Sequence, residues 1–230
     1  MTTAEARFLY DDCCPLCRGY TAVFTGLGWA DRAAFSTIDD ATLDDLDLDR
    51  ARHFIPLHDP ATGTVRYGMD GILSVVGESV PVLERIGRTR PVRAGLEAMY
   101  WVITYNRRHI VSAAPPEVGF DCAPDHHPAA VRTYIGIGLI VAVVLAVAGD
   151  IVLATAAVTI VSALGALRRH PTRQLALEPA IGHATTVLLA TAGAGWIATI
   201  LGAPGWLAGI VGAAVGARKL WLRRWIVTRR

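Results

Sequence analysis

The pattern of apolar and polar positions divides the chain into an N-terminal part of short elements and a C-terminal part of long apolar runs. Residues 7–12, RFLYDD, form an apolar and aromatic run that ends in two aspartates, as expected of a buried strand. Apolar side chains then recur at helical spacing after Cys14, and RAAFSTI at 32–38 predicts a second strand. The start of the chain therefore predicts a β-α-β unit.

A hairpin and several helices are predicted after this unit. The segments RHFIPLHD and TVRYG flank a Pro-Ala-Thr-Gly sequence at 60–63, which is typical of a hairpin turn. The acidic stretch 39–49 is expected to be a solvated turn or short helix. Further helices are predicted at about 70–78, 80–88 and 91–113. This order of elements predicts a small α/β domain with a mixed sheet.

Four apolar runs follow a proline-rich linker at 114–130. They cover about 133–149, 151–167, 181–203 and 205–222, and a spanning helix needs roughly 17 residues or more. Only Gly149-Asp150 separates the first two runs, so these form either a tight hairpin of two spans or one long buried hairpin. The predicted organisation is an α/β domain at 1–113, the linker, and an all-α membrane domain at 131–230 with four transmembrane helices.

The charge distribution favours the membrane interpretation of the second part. Residues 1–130 carry 12 arginines and 18 acidic residues, a net charge of −6, whereas residues 131–230 carry a net charge of +8. Basic residues lie between the second and third runs and after the fourth, and the turns at 149–150 and 203–204 carry none. Four spans with an inside N terminus would place every basic cluster inside. This arrangement predicts an integral protein of the cell membrane whose N-terminal domain and C terminus are cytoplasmic.

The sequence disfavours nucleic-acid binding and secretion. The basic residues border apolar runs, so membrane orientation explains them better than nucleic-acid binding does. The sequence MTTAEARFLYDD has no charged and then apolar leader, so no secretory signal is expected. On the cytoplasmic side, thiols stay reduced and structural disulfides are rare.

Three of the four cysteines lie in YDDCCPLCRGY at 10–20, where Cys14 and Cys17 form a C-x-x-C motif between the predicted strand and helix. The first cysteine of such a motif lies at a helix N terminus, where unpaired N–H groups and the helix dipole stabilise a thiolate. The second, one turn further on, can attack a mixed disulfide and release it. We therefore predict that Cys14 is the attacking thiol and Cys17 the resolving thiol.

Residues beside the motif leave alternatives open. Asp11, at the end of the predicted strand, is either a general base for Cys17 or a cap of the following helix. Cys13 is interpreted as adventitious. A c-type haem is excluded because Arg18 stands where C-x-x-C-H needs histidine, and no cofactor is expected.

Zinc binding is the competing interpretation of the thiols, and inert buried thiols are a third. Four zinc ligands could come from the cysteines and a nearby pair of histidines, namely Cys13, Cys14, Cys17, Cys122, His126 and His127. Against this, the sequence has no second C-x-x-C or spaced C-x-x-H, and Cys122 stands alone in the linker.

The segment YDDCCPLC resembles the D-x-x-C-x-x-C signature of the DCC family of predicted thiol-disulfide oxidoreductases, with Asp11, Cys14 and Cys17 on the signature positions. HFIPLHDPATGTVRYGMDGI resembles that family's hairpin and following helix. YWVITYNRRHI resembles its late helix, with Tyr100 or Tyr105 as the aromatic residue before Asn106 and Arg107. The resemblance covers about residues 7–122. It implies a thioredoxin-like fold and dithiol-disulfide chemistry, and so an α/β thioredoxin-like domain followed by an all-α transmembrane helical region.

Two further candidates lie in the first domain. Thioredoxin-like domains carry a cis-proline beside the active cysteine, and Pro56 is either that residue or an edge-strand proline, the interpretation favoured here. Arg107 and Arg108 end a predicted helix, where they complement its dipole, so a structural role is expected.

The membrane part offers no thiol, because all four cysteines precede residue 123. His183 and Asp150 are ionisable residues near membrane depth, and His183 is expected to reach interfacial water. One face of the fourth run carries glycines that allow close approach of either the third run or another protomer, namely Gly205, Gly209, Gly212 and Gly216.

These observations predict a membrane-anchored thiol-disulfide oxidoreductase that acts on a protein or low-molecular-weight disulfide. The spans are expected to supply location and contact with a membrane partner. The alternative is a non-enzymatic membrane protein whose cysteine motif is structural or binds zinc.

Overall fold

A computed structural model describes residues 6–111, 120–122, 124–149 and 177–227. The chain divides into two compact units, Met1–His126 and His127–Arg230. The predicted second apolar run and Asp150 lie outside the described residues. Helices and strands are numbered in chain order over the described part.

The first unit contains a four-stranded mixed sheet, which confirms the predicted α/β class. Its strands are β1 (Arg7–Tyr10), β2 (Asp31–Ala34), β3 (Pro56–Asp59) and β4 (Thr64–Tyr67). The strand order is β2-β1-β3-β4. β1 pairs in parallel with β2 and antiparallel with β3, and β4 pairs antiparallel with β3.

Six helices accompany this sheet in the described part of the first unit. They are α1 (Pro15–Gly26), α2 (Asp40–Asp44), α3 (Leu48–His53), α4 (Met69–Ser79), α5 (Pro81–Gly87) and α6 (Arg90–Ile110). The predicted acidic stretch forms α2 and α3, which begin where the Asp39 and Asp47 carboxylates accept backbone N–H groups.

The connection from β1 to α1 positions the cysteine motif. Phe8 and Leu9 of β1 are fully buried, and Pro15 opens α1, where the missing N–H of proline leaves no helical bond broken. Just after α1, Gly28 adopts a positive φ of 68° that lets the chain turn toward β2. The core beneath this unit comprises Ala6, Phe8, Ala30, Ile55, Leu57 and Val75, with Tyr20, Phe24, Trp29 and Ile72 packed against it.

Two details of the sheet differ from the sequence prediction. β2 ends at Ala34, and Phe35–Thr37 form a 3₁₀ turn in which the Thr37 hydroxyl donates to the Ala34 carbonyl. The prediction that Pro56 belongs to an edge strand is wrong, because β3 lies between β1 and β4. A proline fits this interior strand because it occupies the first residue of β3, where a missing N–H is tolerated.

The second unit is helical in its described part, as predicted. Its helices are α7 (Pro128–Ala148), α8 (Leu177–Ile200) and α9 (Gly205–Val227). Two helical stretches, Pro128–Ala148 and Ile181–Ile200, are long and apolar enough to cross a membrane. The fourth predicted run corresponds to α9, which is not among these two stretches, and the second run lies outside the described residues. The arrangement of four spans therefore stays a prediction.

A hydroxyl pair joins α7 to α8, and a glycine of α9 lies close to the backbone of α8. The Tyr134 hydroxyl of α7 lies 2.7 Å from the Thr186 hydroxyl of α8. A Cβ on Gly212 of α9 would lie 2.6 Å from the backbone oxygen of Thr191 in α8. At this position the predicted glycine face therefore meets the helix of the third run. Contact of the other three glycines, or of a second protomer, stays a prediction.

Candidate functional site

Cys14 lies at the N terminus of α1, as predicted. Its backbone is extended at the cap position, its N–H donates to the Asp11 carbonyl at 3.1 Å, and its carbonyl accepts from the Arg18 N–H at 3.0 Å. The Cys14 side chain makes no capping bond and is only 6% exposed. The sulfur is thus available for contacts other than helix capping.

Cys14, Cys17 and Cys122 form a buried cluster, which we call the three-thiol cluster. Their Sγ atoms lie within 4.8 Å of one another, and Cys17 Sγ is 3.9 Å from Cys122 Sγ. All three are free thiols. An apolar and aromatic shell surrounds them, formed by Tyr10, Leu16, Tyr20 and Phe120.

The cluster favours the anionic form of one thiol, Cys14. Hydrogen bonds from Cys122 and Cys17 hold the pKa of Cys14 well below its usual value, with a smaller contribution from the Arg107 charge, and these together outweigh burial. Contact with Cys122 lowers the pKa of Cys17, but contact with Cys14 and burial outweigh it, and the net shift is upward. The pKa of Cys122 is raised by its contacts with Cys14 and Cys17. This distribution is the one expected of a nucleophile flanked by two proton-bearing partners.

Arg107, from α6, supplies a buried positive charge beside the cluster. Its Nη1 lies 3.7 Å from Cys17 Sγ, while Nη2 donates to the Arg52 carbonyl at 3.2 Å and Nε to the Thr104 carbonyl at 3.1 Å. Burial opposes the charge, but the neighbouring Cys122 and Cys17 sulfurs hold the pKa of Arg107 above its usual value. The structural role expected of Arg107 stays a prediction, and the contact of its guanidinium with a thiol of the motif was not predicted.

Asp11 connects the motif loop to the segment that carries Cys122. Its carboxylate is buried, Oδ1 accepts the Cys13 N–H at 2.7 Å, and Oδ2 accepts the Cys122 N–H at 3.1 Å. Asp11 therefore holds the loop before α1 rather than capping the helix. The alternative role of Asp11 as a general base stays a prediction.

Residues 120–122 were predicted to belong to the linker, but they pack against the rest of the first unit. The ring of Phe120 stacks on that of Phe35 with 4.0 Å between centroids, and Cys122 is buried in the cluster. The sequence offered Cys122 only as a possible zinc ligand in the linker, and its contact with Cys17, 105 positions away, was not predicted. The spacing of residues in a short motif does not predict a contact between residues so far apart in the sequence.

The other predicted ligands do not join the cluster. Cys13 is exposed, and burial and the Asp11 carboxylate raise its pKa. His127 accepts the Ala130 N–H at the start of α7. In the described part of the chain, no fourth Cys, His, Asp or Glu forms a group with all three thiols.

Two remaining candidates lie elsewhere. His183 is half-buried in α8. Arg108 belongs to α6, and its side chain lies outside the described residues.

Comparison of the chain with protein-family models, curated proteins and solved structures gives no match. The resemblance to the DCC family thus rests on the motif residues alone.

Proposed function

We propose that the protein is a membrane-anchored, cytoplasm-facing thiol-disulfide oxidoreductase in which Cys14 attacks and Cys17 resolves. The observation that carries the proposal is the C-x-x-C motif between β1 and α1, with Cys14 as the favoured thiolate of a buried cluster. Depressed thiol pKa values at helix N termini are characteristic of reactive cysteines.

The reaction proceeds in two exchanges. The Cys14 thiolate attacks one sulfur of a protein or small-molecule disulfide, which forms a mixed disulfide and releases the other sulfur as a thiolate. Cys17 then loses its proton and attacks Cys14 Sγ, which releases the second substrate thiolate and leaves a Cys14–Cys17 disulfide. The substrate disulfide gains two electrons and the dithiol loses them.

The contacts of Arg107 and Asp11 favour these two exchange reactions. Arg107 Nη1, 3.7 Å from Cys17 Sγ, stabilises the Cys17 thiolate as the proton leaves. Asp11, with its oxygens on the N–H groups of Cys13 and Cys122, acts as a positioning residue. Loss of either side chain should slow the second exchange more than the first.

A thioredoxin-like fold for the first unit is part of the proposal. The strand order β2-β1-β3-β4, with β1 and β2 parallel and a helix between them, provides a βαβ unit that carries the C-x-x-C motif. A C-x-x-C motif in that context is typical of thioredoxin-like redox domains.

Anchoring by the second unit rests on two candidate spans and on exposed apolar side chains of α7. Ile140, Val143, Val144 and Val147 are each more than half exposed, which suits contact with lipid. We propose four spans, with reporter fusions after Gly149 and Ala203 reading outside and those after Arg169 and Arg230 inside. An inside reading after Gly149 would leave a two-span anchor.

A second candidate function is metal binding, favoured by the proximity of three buried thiols. The buried guanidinium of Arg107 opposes it, since a metal cation beside Cys17 would repel that charge. Thiol titration with and without a chelator distinguishes the two functions. Release of Cys14 and Cys17 by the chelator alone would support the metal site.

The oxidoreductase proposal is tested by equilibrating the full chain in buffers of oxidised and reduced dithiothreitol. A Cys13→Ser background leaves only the three buried thiols. We expect a disulfide within the three-thiol cluster that forms and disappears reversibly with the buffer potential. Thiols that stay reduced across the whole range would reject the proposal.

A further inference from the structure

Cys122 is a buried thiol that the proposed mechanism does not use. Its Sγ lies 3.9 Å from Cys17 Sγ, which is van der Waals contact between sulfur atoms, and it is 6% exposed.

Two contacts hold the segment that carries Cys122 in place. Its N–H donates to Asp11 Oδ2, in the loop that follows β1, and the neighbouring Phe120 stacks on Phe35, in the turn that follows β2. Both anchors follow the C-terminal ends of two neighbouring parallel strands, and the motif follows the first of these strands. The position of the thiol is therefore built into the site.

We propose that Cys122 is a second resolving thiol, which receives the disulfide from the Cys14–Cys17 pair. This inference rests on the proposed function. After the substrate has been reduced, the Cys122 thiol loses its proton and attacks Cys17 Sγ. The Cys14–Cys17 bond breaks, a Cys17–Cys122 disulfide forms, and Cys14 leaves as a thiolate. The exchange conserves electrons, and the proton goes to solvent or to the leaving sulfur.

The surroundings favour this direction of transfer. Of the groups that lower the pKa of Cys14, the Cys122 and Cys17 thiols give up their protons in this exchange. The Cys17 backbone N–H and the Arg107 charge remain, so Cys14 still leaves as a stabilised thiolate. Arg107 contacts Cys17, the sulfur under attack, and its charge lowers the energy of anionic sulfur in the cluster. The oxidised protein then stores its disulfide at Cys17–Cys122 and presents a reduced Cys14.

The sequence itself makes the two disulfides easy to distinguish. Trypsin cleavage after arginine places Cys13, Cys14 and Cys17 together in the peptide 8–18, and Cys122 in the peptide 109–132. A Cys14–Cys17 disulfide is a loop within the first peptide, whereas a Cys17–Cys122 disulfide links the two. The full chain with Cys13→Ser is equilibrated in dithiothreitol redox buffers, labelled with iodoacetamide and digested.

We expect oxidised protein to yield the linked peptides with the label on Cys14. Adding Cys122→Ala should abolish both the linked species and the Cys14 label, and leave only the loop. Linked peptides with the label on Cys14 in the parent support the assignment by themselves, so the test does not depend on how well the Cys122→Ala variant folds. Linked peptides with the label on Cys17 would show a Cys14–Cys122 disulfide and overturn the assignment.

The outcomes separate this inference from the proposed function. A reversible loop without linked peptides at any potential would overturn the role of Cys122 and leave the oxidoreductase proposal intact. Absence of both species would overturn both.

Discussion

At the residue scale, the charge of the site is determined by neighbours distant in sequence. A helix N terminus alone lowers a thiol pKa moderately. Here the Cys14 thiolate also receives hydrogen bonds from Cys122 and Cys17 and lies in the field of Arg107. Burial of these groups keeps water from competing for the same interactions.

The order of these contributions gives a prediction for the pH profile of Cys14 alkylation. Cys122→Ala removes the largest favourable contact and should raise the midpoint by about one to two pH units, since a hydrogen bond to a charged group contributes roughly 1.5–3 kcal/mol. Arg107→Met should raise it less. The measurement is the iodoacetamide rate from pH 2 to 10.

Arg18→Met is the matched control, because Arg18 is exposed and is not among the causes of the Cys14 pKa shift. Its midpoint should equal that of the unmodified chain. An unchanged midpoint in Cys122→Ala would show that the thiol cluster does not stabilise Cys14.

At the element scale, β1, α1, α6 and the segment 120–122 each contribute one part of the site. The β1 end supplies Asp11, α1 supplies Cys14 and Cys17, and α6 supplies Arg107. In the second unit, α8 is the helix that both α7 and α9 contact, at positions where small residues permit close approach.

The α8–α9 contact predicts opposite effects for two glycine substitutions. Gly212→Ala should destabilise the helix pair, because the new Cβ would meet the Thr191 backbone oxygen at 2.6 Å, and a backbone atom yields less easily than a side chain. Gly136→Ala in α7 has no neighbour within 4 Å, so it should be neutral or stabilising, by up to about 1 kcal/mol from helix propensity. Thermal unfolding in detergent measures both variants. Equal stabilisation of the two would contradict the packing described.

At the scale of the whole molecule, the cysteines and the apolar helices belong to different units. All four cysteines precede residue 123, and the first unit extends to His126. Residues 1–126 carry a net charge of −6, which opposes self-association.

This division predicts that a fragment of residues 1–126 stays soluble and retains the reversible disulfide. A fragment ending at residue 113, the domain end expected from sequence, lacks Phe120 and Cys122. It should therefore show a higher alkylation midpoint for Cys14 than the longer fragment. Alkylation profiles of the two fragments provide the comparison, and identical profiles would show that residues 120–122 do not act on the site.

Local features of the site could be predicted from the sequence, and distant ones could not. The helix that begins after Cys14 is specified by Pro15 and by apolar spacing within a dozen residues, and the hairpin by a turn sequence with Gly63 at positive φ. The contacts of Cys122 and Arg107 with Cys17 span 105 and 90 residues. They depend on the tertiary arrangement of distant segments, which the spacing of apolar residues along the chain does not predict.

The most direct test of the central claim is a trap for the mixed disulfide on Cys14. In a Cys13→Ser, Cys122→Ala background, Cys17→Ser removes the remaining resolving thiol, and the full chain is exposed to glutathione disulfide. We expect glutathione to accumulate on Cys14, and the otherwise identical chain with Cys17 retained should release it and form the Cys14–Cys17 disulfide. If Cys14 stays unmodified while Cys17 is modified in the reciprocal Cys14→Ser variant, the assignment of Cys14 as nucleophile is contradicted.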